Sequence, residues 1–381
     1  MGEVLACLRG WHPGLALAEL EALLPEAEIE PAVSARWCRV RHSTHSARTE
    51  ALALASGLQC FLLNGTTVSS NGIDASALLP RMEAYLGEHP VDGSVAVRAW
   101  KQGEKIPGWS LSQLTKQVGG VLFSSGNEVD LVTPDHVFAI VSDGPTASIA
   151  FGWMEGDGTA SFSNGERRAG QRPFFKPVSL DPTLARLAVN LAAGPRSSGP
   201  VVDPMTGTGG FLIEASLSGR SVVGIDIHSE MVQGARANLA WAHGGDTPGS
   251  AKVVRGDATR IGDAVPGDWH GKIAGFVLDP PYGRNSHGTE TADALLRSCL
   301  VSAHDVASPS AGFVLILPMH PPEQHTTSSL PFDQPFELLN GTWENVMRVI
   351  KETGWVLRSV HAERVHRSLG RLVVHAQRCT S

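Results

Sequence analysis

The chain has 381 residues, of which 42% are hydrophobic and 18% are charged, with 41 glycines and 24 prolines. This composition is typical of a globular protein of about two to four domains, and it excludes a disordered chain or a small disulfide-stabilised module. The net charge of -7 argues against a uniformly basic, nucleic-acid-binding surface.

The sequence contains no long apolar segment, and its first twenty residues lack a basic leader and a small-residue cleavage site. These features predict a cytoplasmic protein with no membrane association. The five cysteines are widely spaced and form no CxxC pair. This spacing indicates reduced thiols rather than a disulfide framework or a zinc site, so no metal ion is expected.

Residues 1–62 predict a small α+β unit, which begins with an apolar strand and a helix opened by Pro13. The predicted elements are strands at 4–8 and 37–40 and helices at 13–24 and 47–55. A stretch rich in Gly, Ser and Asn follows at 64–72 and predicts a domain boundary.

A second small α+β domain is predicted over residues 63–155. Its predicted elements are helices at 75–86 and 111–122 and strands at 94–100, 128–132 and 136–142. The turn-rich residues 156–173 are expected to form a linker. Over residues 174–381, strands alternate with helices, which predicts an α/β domain whose mostly parallel sheet is covered by helices on both faces.

Three acidic residues follow successive predicted strands of the α/β domain. Asp203 ends the first strand and precedes a turn that contains Gly207 and Gly209, Asp226 ends the second strand, and Asp257 follows the third. Such carboxylates share one edge of a parallel sheet, where glycines let the backbone approach a ligand. Asp226 suits ribose hydroxyls and Asp257 an adenine amino group. Together they favour an adenosine-bearing ligand with a cationic amino-acid end, although each alone also suits a helix N-cap or turn.

The fourth predicted strand, at 273–278, runs into Asp279, Pro280, Pro281 and Tyr282. The two prolines remove two backbone donors, so the carbonyls and the Asp279 carboxylate form a cluster of hydrogen-bond acceptors. These acceptors suit an exocyclic amine on a planar base, and Tyr282 offers a flat face on which that base can stack. The motif does not by itself distinguish guanine N2 from adenine N6.

Four segments of the α/β domain resemble the successive motifs of S-adenosylmethionine-dependent amino-methyltransferases. They are DPMTGTGGFLIEA (203–215), GIDIHSEMVQGARANL (224–239), GDATRI (256–261) and DPPYGRNS (279–286). The flanking segments 172–192 and 366–378 resemble one subgroup, the archaeal and eukaryotic THUMP-domain tRNA (guanine-10)-N2-methyltransferases. The N-terminal half resembles a ferredoxin-like unit (1–62) followed by a THUMP domain (63–155).

The resemblance implies an enzyme that carries a Rossmann-like methyltransferase domain and transfers methyl groups from S-adenosylmethionine to guanine N2 in tRNA, at position 10. The implied cofactor contacts are Asp203, Gly207 and Gly209 at the methionine end, Asp226 at the ribose, and Asp257 with Ala258 at the adenine. The implied catalytic residues, which hold the target amine, are Asp279, Pro280, Pro281 and Tyr282. The number of methyl groups added and the need for a small activator subunit stay open.

Three local basic clusters are expected to bind tRNA despite the acidic net charge. The residues assigned to RNA are Arg98, Lys101, Lys105, Lys116, Arg167, Arg172 and Arg367. A chain that begins near Arg172 is expected to bind S-adenosylmethionine, because the implied cofactor contacts lie at or beyond Asp203, but to methylate tRNA poorly.

Other functions share some of these features. An amino-methyltransferase that acts on adenine N6 or on a different guanine, and a non-enzymatic THUMP RNA-binding protein, are the alternatives. A Rossmann dehydrogenase is disfavoured because Leu212 stands where the GxGxxG fingerprint has its third glycine. A THUMP-containing sulfur transferase is disfavoured because the sequence has no SGGxDS-like loop.

Overall fold

The computed structural model of the chain describes residues 3–69, 77–156, 167–176, 179–280 and 292–379. The chain divides into two compact units. The first unit is formed by residues 1–13, 26–52 and 57–161, and the second by residues 14–25, 53–56 and 162–381. Among the described residues, no helix is both long and apolar enough to cross a membrane.

The first unit is built on a mixed sheet. Its strands are β1 (Val4–Leu8), β2 (Glu28–Pro31), β3 (Trp37–Arg41), β4 (Leu58–Ser69), β5 (Ser94–Gln102), β6 (Glu128–Val129), β7 (His136–Asp143) and β8 (Ser148–Met154). Within the described part of the chain, the sheet has the order β2-β3-β1-β4-β8-β7-β5-β6. Its helices are α2 (His45–Leu54), whose last two residues belong to the second unit, α3 (Leu78–Glu88) and α4 (Leu111–Ser124).

Helix α4 shows how the sequence pattern specifies local structure in this unit. Ser110 caps the helix by accepting a hydrogen bond from the Gln113 amide at 3.3 Å. Leu114, Val118 and Leu122 are buried at a spacing of four residues, which places them on one face of the helix. The predicted helix at 111–122 is therefore confirmed, with two further residues at its end.

Strand β4 crosses the boundary predicted between residues 62 and 63. Its first half pairs with β1 and its second half with β8, so segments assigned to two domains share one sheet. The polar stretch marks an irregularity in this strand: the register shifts between Leu63 and Thr66, and Asn64 has a φ of 48°. A Cβ at Gly65 would lie 2.7 Å from the Leu5 Cβ, so this glycine serves a close approach within the sheet.

The second unit contains the predicted α/β sheet. Its strands are β9 (Val201–Asp203), β10 (Val222–Asp226), β11 (Ala251–Arg255), β12 (Ile273–Leu278), β13 (Ala307–Met319), β14 (Trp355–His366) and β15 (Leu369–Arg378). Within the described residues the order is β11-β10-β9-β12-β13-β15-β14, with β9 to β13 parallel and β15 antiparallel to both neighbours. Strands β10 and β11 lie on one side of β9, and β12 and β13 lie on the other. This switch in strand order between β9 and β12 creates a crevice at the carboxyl ends of these strands. The predicted fold class is confirmed.

Helices cover both faces of this sheet. The helices of this unit are α1 (Pro13–Leu23), α5 (Pro182–Ala193), α6 (Gly210–Leu217), α7 (Ser229–Ala242), α8 (Ile261–Ala264), α9 (Ala292–Val306) and α10 (Trp343–Glu352). Helix α5 lies directly on the strands, because a Cβ at Gly312 would come within 2.3 Å of the Ala192 carbonyl oxygen. A separate core contains the buried rings of Phe276, Trp343 and Trp355.

Helix α1 belongs to the second unit although it lies near the N-terminus of the sequence. The fully buried Glu19 accepts hydrogen bonds from the Ser56 amide at 3.0 Å and from Asn190 Nδ2 at 2.8 Å. Asn190 Nδ2 also donates to the Leu54 carbonyl at 2.8 Å. Since buried polar groups require partners, α1 and residues 53–56 complete the hydrogen bonding of α5. A chain that begins near Arg172 therefore lacks part of this unit, and its expected binding of S-adenosylmethionine stays a prediction.

Candidate cofactor and target-base site

Hydrogen bonds from its backbone amides hold the turn after β9 in place. The Met205 amide donates to Asp203 Oδ1 at 3.2 Å, and the Thr206 amide donates to the Ile225 carbonyl of β10 at 2.9 Å. Gly207 and Gly209 have φ angles of 49° and 80°, in the left-handed region that favours glycine. These contacts bring the glycine turn to the carboxyl end of β10.

The two glycines of the turn have different functions. A Cβ at Gly209 would lie 3.2 Å from the Ala235 Cβ, so this glycine allows α7 to approach the turn. A Cβ at Gly207 would meet no atom within 4 Å. The turn therefore has open space above Gly207, where the backbone can approach a ligand.

Asp226 connects the glycine turn to the start of α7. Its Oδ2 accepts from the Gly207 amide at 3.0 Å and its Oδ1 from the His228 amide at 2.9 Å. The carboxylate is thus held in one orientation before any ligand binds. Each oxygen retains a further lone pair, so the group can still accept from two vicinal hydroxyls.

Asp257 follows β11 at the same edge of the sheet. Its Oδ1 accepts from the Thr259 amide and hydroxyl, both at 2.9 Å, so it caps the short turn that contains Ala258. The Gly256 amide donates to the Asp226 carbonyl at 3.0 Å and ties the ends of β10 and β11 together. The capping alternative and the ligand role are compatible here, because the second carboxylate oxygen stays available.

The carboxylates at this edge influence one another. Burial raises the pKa of Asp203 to about 8, and the negative charges of Asp226 and Asp279 add to the rise. Asp203 Oδ2 is buried and accepts no well-aligned hydrogen bond, although the nearby Thr206 hydroxyl offsets part of the pKa shift. A cation bound in the crevice would stabilise the ionised form. These residues fit S-adenosylmethionine, whose sulfonium and ammonium groups are positive and whose ribose carries two hydroxyls.

Asp279 and Pro280 follow β12 next to this crevice. Asp279 is partly buried, and burial raises its pKa to about 6, while the positive charge of Arg371 opposes the rise. Pro281 and Tyr282 lie outside the described residues, so the predicted stacking on Tyr282 stays a prediction.

The residues assigned to RNA fall into two groups. Lys101 and Lys105 are exposed and line a cavity of about 230 Å³ in the first unit, together with Trp109 and Ser110. Lys116, on α4, is also exposed. Arg98, which donates to the Leu131 carbonyl, and the exposed Arg367, between β14 and β15, complete the accessible group.

Two of the assigned residues are engaged by other groups of the second unit, and one of them is buried. Arg172 is only 4% exposed, and it donates to the Arg167 carbonyl at 3.2 Å. The predicted RNA contact of Arg172 is therefore wrong. The Arg167 guanidinium is half-buried and pairs with the buried Glu214 at 2.8 Å, and its RNA contact stays a prediction. The sequence showed both residues only as part of a basic cluster, which does not distinguish surface charge from buried ion pairs.

Sequence reasoning missed Asn238, which secures the segment before α5. Its carboxamide accepts from the Phe174 amide at 2.8 Å and donates to the Phe174 and Thr208 carbonyls at 2.8 and 2.9 Å. The segment is thereby held against the glycine turn. No local sequence signal indicates this role, because Asn238 and Phe174 are far apart in the chain.

Comparisons with known proteins find sequences similar to this chain. Residues 169–328 match the RMKL-like methyltransferase domain family. The chain is 35% identical over 237 residues to the tRNA (guanine(10)-N2)-dimethyltransferase of Pyrococcus abyssi, a match that covers 62% of this chain and 67% of that protein. It is 43% identical over 142 residues to the protein of the same name from Methanothermobacter thermautotrophicus, covering 36% of this chain and 38% of that protein.

Among solved structures, TrmN from Thermus thermophilus aligns over 99% of each chain, with 20% identity and a TM-score of 0.48. The N-terminal THUMP assignment stays a prediction. By its similarity to the Pyrococcus abyssi protein, the chain belongs to the tRNA (guanine(10)-N2)-dimethyltransferase family.

Proposed function

We propose that this protein methylates the exocyclic N2 amine of guanine in tRNA, with S-adenosylmethionine as the methyl donor. The observation that carries the proposal is the row of Asp203, Asp226, Asp257 and Asp279 along the carboxyl edge of one parallel sheet. The names of the relatives supply guanine position 10 as the site. The proposal includes one or two methyl transfers.

The proposed cofactor contacts follow the geometry of the crevice. Asp226 accepts hydrogen bonds from the ribose hydroxyls, while Asp257 and the Ala258 amide bind the adenine. Asp203 faces the cationic methionine end, which the open space above Gly207 accommodates. When bound, S-adenosylmethionine supplies a methyl group on a positively charged sulfur, which is a good leaving group.

The proposed chemistry needs little beyond positioning. Asp279 and the Pro280 carbonyl accept hydrogen bonds from the N2 amine, which favours a pyramidal nitrogen whose lone pair is less delocalised into the ring. The nitrogen attacks the methyl carbon as the carbon–sulfur bond breaks, and the bonding electron pair leaves with the sulfur. The nitrogen then loses one proton to solvent. Holding the two reactants in line provides most of the rate enhancement.

The accessible cations are proposed to position the tRNA. Lys101, Lys105 and Lys116 belong to a strand, a loop and a helix of the first unit, and they are exposed despite the acidic net charge of the chain. Phosphate contacts fix the register of an RNA but carry little sequence information. The base is therefore selected in the second unit, by the groups near Asp279.

The proposal is tested by incubating tRNA with the protein and isotope-labelled S-adenosylmethionine, followed by nuclease digestion and mass spectrometry of the nucleosides. Label in N2-methylguanosine or N2,N2-dimethylguanosine is expected, and a transcript with adenine at position 10 should lose it. Label in N6-methyladenosine would establish the adenine alternative. Binding of tRNA without any labelled nucleoside would identify a non-enzymatic RNA-binding protein.

A further inference from the structure

The hairpin formed by β14 and β15 ends in a positively charged turn, which we call the basic turn (residues 364–368). Its Arg364, His366 and Arg367 are exposed. The sequence has no aspartate or glutamate between residues 364 and 378. The basic turn therefore concentrates positive charge on a chain whose net charge is -7.

The sheet places the basic turn at the same edge as the acidic residues of the crevice. Strand β15 is antiparallel to both β13 and β14, so β14 runs parallel to β13. The carboxyl end of β14 therefore lies at the edge where β9, β10 and β12 also end. Asp203 and Asp226 are the last residues of β9 and β10, and Asp279 follows β12.

The hairpin also extends beyond this edge. Strand β12 ends level with Leu315 of β13, whereas Arg364 is level with Met319 through its partner Gly370. Four residues separate these two levels, which corresponds to about 13 Å along the strand direction. The basic turn therefore lies beyond Asp279 in the strand direction, at the carboxyl edge of the sheet.

The lateral distance limits what the basic turn can contact. Strands β13 and β15 lie between β12 and β14, so β14 is about 14 Å from β12 across the sheet. A base whose amine reaches Asp279 is therefore out of range of Arg364 and Arg367. The backbone of the same nucleotide extends away from the base, so its phosphates can come within reach of these long side chains.

Contacts with the loop between β13 and α10 hold the basic turn in place. The Arg364 amide donates to His325 Nδ1 at 3.3 Å, and Arg364 Nη1 donates to the Pro322 carbonyl at 3.1 Å. A Cβ at Gly370 would lie 2.8 Å from Pro322 Cδ, so this glycine allows the loop to pack on the hairpin. Carbonyl oxygens orient a guanidinium without neutralising it, so Arg364 stays available as a cation.

We propose that Arg364 and Arg367 bind the backbone phosphates on either side of the methylated nucleotide and thereby hold its base over Asp279. The inference rests on the proposed function, because it requires an RNA whose target amine reaches Asp279. An enzyme that acts on a stacked base must take the nucleotide out of the stack, and contacts to the flanking phosphates hold it there. Arginine suits this role because its parallel N–H donors match phosphate oxygens. These contacts act on the target nucleotide itself, and therefore on the rate of methyl transfer.

The test removes the charge from each side of the proposed contact. A tRNA is assembled from synthetic pieces with an uncharged methylphosphonate at one of the two phosphates that flank the methylated guanosine. Single-turnover methylation by the full-length wild-type protein should be about tenfold slower on this RNA, and Arg364→Gln and Arg367→Gln should each be about tenfold slower on unmodified tRNA. For an arginine and its own phosphate, the two changes together should be no slower than either alone, because both remove the same contact.

The chain and the RNA each offer a matched control. Arg358 is an exposed arginine near the start of β14, at the opposite edge of the sheet. Arg358→Gln should methylate at the wild-type rate, and a flanking methylphosphonate should slow it as much as it slows the wild type. A methylphosphonate far from the target should change none of the rates. Affinity for S-adenosylhomocysteine, measured by calorimetry, should be the same in all three variants.

The outcomes are distinguishable from those of the proposed function. If the wild-type protein methylates guanine N2 but flanking methylphosphonates do not slow it, the inference is overturned. Slowing that is as large in Arg364→Gln and Arg367→Gln as in the wild type overturns it as well. Absence of guanine methylation by the wild type would instead contradict the proposed function. If thermal unfolding shows that Arg364→Gln disturbs the loop that it contacts, Arg367→Gln decides the test by itself.

Discussion

The carboxyl edge of the second unit and the cationic surface of the first unit concentrate charge in different ways. Asp203, Asp226 and Asp279 come from three strands whose parallel order brings their ends together, and two of them have raised pKa values. Lys101 and Lys105, in contrast, are exposed to solvent. The difference indicates that the acidic edge depends on burial and fixed geometry, whereas the cations act through a screened field. Substitutions at the two sites should therefore differ in size and in salt dependence.

The largest effect is expected for Asp279→Asn, which replaces a carboxylate acceptor with an amide. Methyl transfer to tRNA should fall by about 100- to 1,000-fold, because a preorganised polar contact to the reacting group is removed. Affinity for S-adenosylhomocysteine, measured by calorimetry, should be unchanged. Asp268→Asn, at an exposed carboxylate, is the control. Equal activity of the two variants would show that Asp279 takes no part in the reaction.

Asp226→Ala should weaken S-adenosylmethionine binding about 100-fold, because it removes two charge-assisted hydrogen bonds to the ribose. The carboxylate also accepts from the Gly207 and His228 amides, so thermal unfolding must be measured in parallel. Asp246→Ala, in the loop after α7, provides the comparison. Wild-type affinity in a folded Asp226→Ala protein would contradict the ribose assignment.

The acidic edge was predictable because each carboxylate follows its strand directly in the sequence, and parallel strands must end at one edge. The positive charge of Arg371 that acts on Asp279 was not, because only the pairing of β13 with β12 and β15 relates these two residues. The irregularity of β4 near Gly65 was not predictable either, because a glycine that allows a bulge has the same local signature as one in a linker.

Glu19→Ala tests whether the second unit depends on helix α1. The change leaves the buried Ser56 amide and the Asn190 side chain without this acceptor, which should lower the free energy of unfolding by about 1 to 3 kcal/mol. Thermal unfolding with and without S-adenosylhomocysteine identifies the transition of the cofactor-binding unit. Glu21→Ala, at an exposed position of the same helix, should change it little. Identical shifts in both variants would show that the Glu19 contacts do not stabilise this unit.

A smaller effect is expected from the titration of Asp203. Its pKa of about 8 is raised above the ordinary value, so the group is mostly protonated at pH 7 when no cation is bound. The ammonium group of S-adenosylhomocysteine favours the ionised form, so binding releases a proton and weakens as the pH falls below 8. The affinity should drop by about fivefold between pH 8 and pH 7. Calorimetry in buffers of different ionisation enthalpy measures the released proton, and Asp203→Asn should abolish the dependence.

The smallest effect per residue is expected at Lys101 and Lys105. Because phosphate contacts act through released counterions, substituting both lysines with alanine should weaken binding of different tRNAs by about the same factor. It should also lower the slope of log affinity against log salt concentration by about 0.7 to 0.9 for each phosphate that is no longer neutralised. Filter binding over a salt series gives the slope, and Lys252→Ala with Lys351→Ala, two exposed lysines of the second unit, is the matched control. A weakening confined to one tRNA, with an unchanged slope, would mean that these lysines read sequence or shape rather than phosphate charge. Neutralising them should leave S-adenosylhomocysteine affinity intact, since the proposed contacts to that ligand come from the carboxyl edge of the second unit.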